Sequence, residues 1–463
     1  MPLPDELLRA VSAHGGGKIA IVVGAGCSVE APTSVPVARE CSVEVHRRLV
    51  ADGVLQNGDC ADPTDLSLVA DAVFARKKSQ RLVVELLCEQ YDLKLAPPND
   101  GYRIAAAMLC EGAVSSVVTL NFDLALSNAL SELGAGQVVG VIERPEDLPT
   151  QKNINIYYLH RNVNAADPEF WVLRTASLQD DWKGHWQPII ATKALAAPIV
   201  LFAGIGNPVA VLIESAKLVR TALPAATKIY QIDPADRADS KSFQALAIDP
   251  GAYIQCGWGE FMGELSERLS AEQVVGLEQA IGRKVQEDGL PAEDVADLLL
   301  RLRAFGLVKL GRLRAQWLLY EKPYCPVDPN GRGLLADLLL AVSMMSRVSG
   351  AVAVICEDGV VEFQRDGRVV VAFLLASGRG HRGRAAIEAA IEDRRAQYRS
   401  RLAPPRGVIV GGTSDTWTSP VTPPADVVRG DSSDDVVGGP TALPLLHIND
   451  FRADPGRIAQ VVP

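Results

Sequence analysis

Eight cysteines are present, at positions 27, 41, 60, 88, 110, 256, 325 and 356, and no two of them form a Cys-x-x-Cys pair. That spacing excludes a zinc ribbon, which needs closely paired thiolates, and leaves buried free thiols of a reducing compartment as the reading. The histidines are few and scattered (His14, His46, His160, His185, His381, His447), without metal-ligand spacing, so no metal site is expected. A Gly-x-Ser-x-Gly elbow and a P-loop Gly-Lys-Ser/Thr are both missing, which argues against serine-hydrolase and P-loop chemistry. No run reaches the ~18 apolar residues that span a bilayer, and the N-terminus lacks a basic-then-apolar signal layout. The expectation is a cytoplasmic protein without membrane contact. The net charge of −10 argues against coating nucleic acid through the overall field.

What is there is a globular composition, 48% hydrophobic and 22% charged over 463 residues, enough for two or three domains with ample core. The run Ile19–Val23 stops at Gly24-Ala25-Gly26-Cys27-Ser28. An apolar run ending in Gly-x-Gly reads as a buried parallel strand that brings its backbone to a phosphate, the glycines permitting close approach and positive φ. A plain strand-to-helix turn is the competing reading, since the third glycine of Gly-x-Gly-x-x-Gly is missing. Two more apolar runs end in polar groups: Val117–Leu120 leads to Asn121-Phe122-Asp123, with Thr119 within it, and Ile154–Leu159 leads to His160. In a doubly wound sheet ligands bind outside the carboxyl ends of the strands, so these groups would face one crevice.

The order GAG-x-S, T-x-N-x-D, then L-H resembles the sirtuin-like family of NAD-dependent deacylases and NAD hydrolases, over about residues 15–270. Pro198–Asn207, with Gly204, Gly206 and Asn207, is similar to that family's strand and turn at the cofactor phosphates and ribose. Lys228–Asp233 is similar to the strand that holds the adenine-side ribose through its polar end. The resemblance implies NAD as substrate, with Asn121 orienting ribose and water and His160 acting as base through a ribose hydroxyl. Asp123 would lie beside the ribose and nicotinamide, or bond backbone N–H groups at the start of the next helix. Gly24, Ala25, Gly26, Ser28, Thr119, Gly204, Gly206, Asn207 and Asp233 would hold the cofactor; Ser28 could instead cap a helix. Deacylases of the family carry a four-cysteine zinc ribbon, yet His160–Gly204 contains no cysteine, so a zinc-free NAD hydrolase is implied. One departure stands out: relatives have glycine after the histidine, and here it is Arg161. Its cation should disfavour protonated His160. It could point away, pair with a phosphate, or weaken activity.

The chain is read as α/β, with a Rossmann-like parallel sheet in residues 1–270 and a helical insertion at about 37–111. Strands are predicted near 114–120, 138–142, 154–159, 198–203 and 227–232, and a last helix closes the domain near 270. Residues 271–330 read as a helical connector, with helices near 275–286, 292–304 and 312–320. Residues 331–463 read as an α+β domain: helix 333–346, strands near 351–356, 360–364 and 368–375, helix 382–402, and strand 407–410. Asp358-Gly359 and Asp366-Gly367 are hairpin signals. This order resembles a PD-(D/E)xK nuclease-like fold, but Val371-Ala372-Phe373-Leu374 stands where its acidic motif belongs, so the domain would be catalytically degenerate. Eight arginines between 379 and 406 face three acids, either a solvated helix face or a patch for nucleic acid or an acidic partner. Residues 413–440 read as a long mobile loop.

Zinc-free multi-domain members of the resembled family are NAD-depleting effectors of bacterial antiphage defence. That implies a homo-oligomer, or a partner such as a HerA-type ATPase or a nucleic-acid sensor protein. A catalytically weak sensor of NAD or ADP-ribose and an ADP-ribosyl transferase are the alternatives.

Overall fold

The computed structural model describes residues 3–463 except 12–16, 135–138, 180–184, 208, 224–226, 289–292, 318–328, 357, 379–393, 395–396 and 413–442. Two compact units divide the chain, Met1–Arg268 and Leu269–Pro463. Among the described residues no helix is long and apolar enough to cross a membrane.

In the first unit, helix α1 (Asp5–Val11) precedes β1 (Ile19–Val23), and the helices α2 (Ala38–Ala51), α3 (Leu66–Lys77), α4 (Arg81–Gln90) and α5 (Asp100–Cys110) follow. Next come β2 (Val114–Thr119), α6 (Ala125–Glu132), β3 (Gly140–Ile142), β4 (Asn155–Tyr158), α7 (Thr175–Gln179) and α8 (Gln187–Leu195). The unit continues with β5 (Ile199–Ala203), α9 (Ala210–Ala222), β6 (Lys228–Ile232), α10 (Lys241–Ala245) and β7 (Tyr253–Ile254). The seven strands lie in the order β3-β4-β2-β1-β5-β6-β7, each pair parallel. Every residue of β1, β4 and β5 is buried, as strands covered by helices on both faces require.

Register aligns the strand ends. Val23 lies opposite Thr119 and Ala203, Thr119 opposite Tyr158, and Ala203 opposite Ile232. Four strand intervals separate β4 from β6, about 19 Å. The chain moves from β1 to β2 on one side, whereas β5 lies on the other, which places the topological switch point and its crevice at β1 and β5.

The predicted helical insertion is α2–α5, held by its own core of Val45, Leu49, Val69, Val73, Val83 and Leu87 with Trp171. Asp65 caps α3 through Ser67 N and Asn99 caps α5 through Tyr102 N. A difference appears at α11, which runs unbroken from Trp258 to Asp288, where the sequence reading had two helices. No proline interrupts that stretch, and buried Leu265, Leu269, Leu277 and Ala280 extend one stripe through it.

The second unit holds α12 (Glu293–Arg303), α13 (Gly306–Trp317) and α14 (Pro329–Ser349), then β8 (Val352–Ile355), β9 (Val361–Arg365), β10 (Arg368–Gly378), β11 (Val408–Gly412) and β12 (Leu445–His447). Strands β8, β9 and β10 form an antiparallel meander, and β11 and β12 add parallel to it. Asp366 and Gly367 both take positive φ, 53° and 74°, as a two-residue hairpin turn demands. Both faces of β10 are apolar: Val371, Phe373 and Leu375 pack in the cluster around α14, and Ala372, Leu374 and Ala376 in a second one. The predicted helix 382–402 falls mostly, and the loop 413–440 wholly, outside the described residues.

Candidate active site at the strand ends

The turn after β1 is built on glycine packing. Gly24 N–H donates to the Ala203 carbonyl and Gly26 N–H to the Gly204 carbonyl, each at 2.9 Å. A Cβ on Gly24 would lie 2.6 Å from Gly204 O, and one on Gly26 would lie 2.7 Å from Gly204 Cα. Gly204 has φ +65°, and a Cβ there would strike the Cys27 backbone nitrogen. The glycines therefore lock the β1 turn against the β5 turn. This corrects the sequence reading on two points. Gly24 is extended at φ −123° and Gly26 is not among the residues with positive φ, so neither uses that freedom. Their N–H groups are also already committed. Ala25 is half-buried at the first position of a short 3-10 helix (Ala25–Ser28), where the N–H has no partner within the helix.

Asn99 ties α5 to this turn. Its Oδ1 caps the helix, and its Nδ2 donates to the Cys27 carbonyl at 2.8 Å. Tyr102, one turn along, is thereby delivered to Ser28, with Oη 2.7 Å from Ser28 Oγ. Ser28 Oγ donates to Asp123 Oδ2 at 2.9 Å. Its single hydrogen is spent there, so Tyr102 donates to Ser28, and the relay ends on the carboxylate. Asp123 is buried, which raises its pKa against the lowering by the Ser28 bond. Its Oδ1 accepts from Ala125 N at 3.0 Å at the start of α6, the helix-start role weighed for it above. Ser28 Oγ belongs to the relay and, among the described residues, caps no helix.

Asn121 stands beside this relay. Its Nδ2 lies 2.9 Å from Tyr102 Oη, 3.1 Å from Ser28 Oγ and 3.1 Å from the Gly24 carbonyl. Thr119 Oγ1 accepts from Asn121 N at 3.0 Å and so shapes the turn. The Asn121 Oδ1 is buried with no partner among the described residues.

His160 follows β4, the strand next to β2. Its ring meets Phe122 at a centroid distance of 6.4 Å, and Phe122 stacks on Trp171 at 4.2 Å. Burial lowers its pKa to about 4, against a smaller opposing effect of the Leu120 carbonyl. With Nδ1–H on that carbonyl, Nε2 is a bare acceptor, and it too is buried without a partner. Arg161 adopts φ +68°, the conformation glycine would take. It points away: Nη1 donates to the Glu143 carbonyl at 2.8 Å, and the guanidinium lies about 6 Å from the rings of Phe170 and Trp186. Burial rather than the Arg161 cation thus keeps His160 neutral, which corrects the sequence argument.

Ser28, Asn121 and Asp123 are joined by hydrogen bonds, and Gly24, Gly26 and Gly204 by packing. Gly206 and Asn207 are exposed beyond β5, and Asp233 is half-buried at the end of β6, its Oδ1 accepting from Ala235 N at 3.0 Å. Among the described residues, Asn207 and Asp233 share no hydrogen bond with the relay. Sequence reasoning missed Tyr102, whose only signal was an aromatic inside a predicted helix.

No protein-family model and no curated protein matches the chain. Among solved structures, a crystal structure of a Sir2 homologue–NAD complex aligns at 15% identity over 57% of this chain and 93% of that one, with a TM-score of 0.34. A Sir2 homologue mutant–ADP-ribose complex aligns at 17% identity over 57% and 95%, TM-score 0.34. A structure titled for the mechanism and regulation of Sir2 enzymes gives 16% identity over 57% and 97%, TM-score 0.33.

Proposed function

We propose that the Met1–Arg268 unit hydrolyses NAD at the nicotinamide–ribose bond, giving nicotinamide and ADP-ribose. The observation that carries this reading is the pair of unpartnered buried acceptors, Asn121 Oδ1 and His160 Nε2, at the ends of neighbouring strands. Buried acceptors without donors cost stability, so they mark a place built for a donor-rich ligand. A ribose and a water supply such donors; a phosphate does not. The phosphates belong instead at the Ala25 N–H, about 5 Å from the Asn121 strand and about 10 Å from the His160 strand by the strand spacing.

The chemistry asks little of the protein beyond position. Nicotinamide leaves as a neutral molecule, so an oxocarbenium-like transition state needs a fixed ribose and a water. Asn121 is held by three acceptors that share the two hydrogens of its nitrogen, and it offers its oxygen to the ribose or water. Asp123, kept in place by Ser28 and Ala125, supplies negative charge beside the developing cation. His160, neutral well below pH 7, accepts the proton.

On the sequence resemblance alone, we extend the reading to an NAD-depleting antiphage effector, working as a homo-oligomer or with a HerA-type or nucleic-acid-sensing partner.

The test is nicotinamide release from NAD by the full chain. Asn121→Ala and His160→Ala should each lower it by roughly 10²–10⁴. ADP-ribose binding without any release would favour the sensor reading, and transfer of label to a macromolecule the transferase one. Neither release nor binding of NAD or ADP-ribose would end all three.

A further inference from the structure

Every hydrogen in the cluster beside Asn121 has an assignable direction, and the directions start at Asp123. Its Oδ1 accepts from Ala125 N at 3.0 Å and its Oδ2 from Ser28 Oγ at 2.9 Å, so both oxygens act as acceptors, as an ionised carboxylate does. Ser28 has one hydroxyl hydrogen and spends it there, so the 2.7 Å contact with Tyr102 Oη is a donation from the tyrosine. Tyr102 in turn has one hydrogen, and Ser28 takes it. Both hydroxyl oxygens therefore show only lone pairs to Asn121 Nδ2, at 2.9 Å from Tyr102 and 3.1 Å from Ser28. An amide that faces lone pairs must present its nitrogen. The Asn121 Oδ1 is left outside the cluster, buried and without a partner among the described residues.

We propose that Tyr102 is a positioning residue that fixes which end of the Asn121 amide serves the ligand, and that the charge of Asp123, passed through Ser28, sets that choice. The Gly24 carbonyl, 3.1 Å from Asn121 Nδ2, does not decide it: it also accepts from Cys27 N at 3.0 Å and is satisfied either way. Among the described residues the Tyr102 hydroxyl meets only Ser28 and Asn121. Were the relay reversed, its hydrogen would find an acceptor only in Asn121 Oδ1, turned inward. The Tyr102 ring is held separately, edge-to-face against buried Trp258 at a centroid distance of 6.1 Å. Removing the hydroxyl alone therefore leaves that packing in place. The polarity of the relay stands on these hydrogen bonds. Its benefit to catalysis rests on the NAD reading, in which a ribose hydroxyl or a water donates to the free oxygen.

Neutron diffraction from crystals of the full chain grown in heavy water tests the polarity without NAD. Wild type should show the Asn121 deuterons toward Tyr102 and Ser28, the Tyr102 deuteron toward Ser28, and the Ser28 deuteron toward Asp123. Asp123→Asn should reverse the relay, because an amide that keeps its oxygen on Ala125 N offers a donor to Ser28. Ser28 then donates to Tyr102, and Tyr102 to Asn121 Oδ1. A Tyr102 deuteron aimed at Asn121 in wild type, or an unturned Asn121 in Asp123→Asn, overturns the proposal.

Kinetics test the positioning role. Tyr102→Phe should lower kcat for nicotinamide release by about five- to tenfold, the worth of about one hydrogen bond. KM should stay within about twofold, as for an interaction that matters in the transition state alone. In an Asn121→Ala background the same change should cost less than about twofold, because the group it positions is gone. An equal loss in both backgrounds, the mark of a merely structural tyrosine, overturns the assignment. If wild type shows the polarity yet releases no nicotinamide, the NAD reading fails and the oriented relay stands.

Discussion

His160 offers the sharpest quantitative test, because its burial couples a proton to folding. In the unfolded chain its imidazole titrates near the ordinary value of 6.5; in the folded chain burial lowers this to about 4. Protonation therefore favours the unfolded chain. The stability tied to a neutral His160 is complete above pH 6.5 and is lost as pH falls toward 4. The loss reaches about 2 kcal/mol at pH 5 and about 3 kcal/mol once pH is below both values. Asp123 has the opposite sign, since burial raises its pKa and acid stabilises the folded form; His447, lowered by burial, has the same sign as His160. Both groups persist in a His160→Gln variant, so the difference between the two proteins isolates His160. Urea unfolding of the full chain from pH 7 to 4.5 should show wild type losing about 2 kcal/mol more than the variant by pH 5. That is a midpoint difference of roughly 1 M for a slope of about 2 kcal/mol/M. Parallel curves would refute the claim that the histidine is folded in as a neutral base.

Further expectations follow from the same geometry. Gly204→Ala should cost about 2–4 kcal/mol, from positive φ plus the collision with the Cys27 nitrogen, whereas Gly53→Ala, at φ +70° with open space around it, should cost only about 1 kcal/mol. Thermal unfolding of the two variants checks the contrast. Tyr102→Phe removes the donor to Ser28 and an acceptor of Asn121, and should lower stability by about 1–3 kcal/mol as well as nicotinamide release. Arg161→Gly should leave the titration of His160, followed by NMR, where it is in wild type, because burial and not the arginine sets it.

Much of this architecture is legible in the residues. Ile19–Val23 and Ile199–Ala203 read as strands buried on both faces because they are unbroken apolar runs, and the structure has them so. The end-of-strand positions of Asn121, Asp123 and His160 were equally plain. What periodicity does not carry is which partner a polar atom finds. Gly24 and Gly26 looked like phosphate glycines, yet their N–H groups serve the β5 turn, a contact between residues about 180 positions apart. Tyr102 was hidden for a related reason: its side chain meets the site from a neighbouring helix. The continuous α11 was missed because a plausible stop was assumed where no proline or cap enforces one.

Glu143, just past the three-residue edge strand β3, has a consequence of its own. Its carbonyl accepts from Arg161, and its carboxylate accepts from Asn162 Nδ2 at 2.8 Å and Asn164 Nδ2 at 3.3 Å. One rim residue thus clasps the loop that follows the imidazole from three directions. Prying at this outer margin, by an antibody or a strand-mimicking peptide, should silence the centre without ever occupying it.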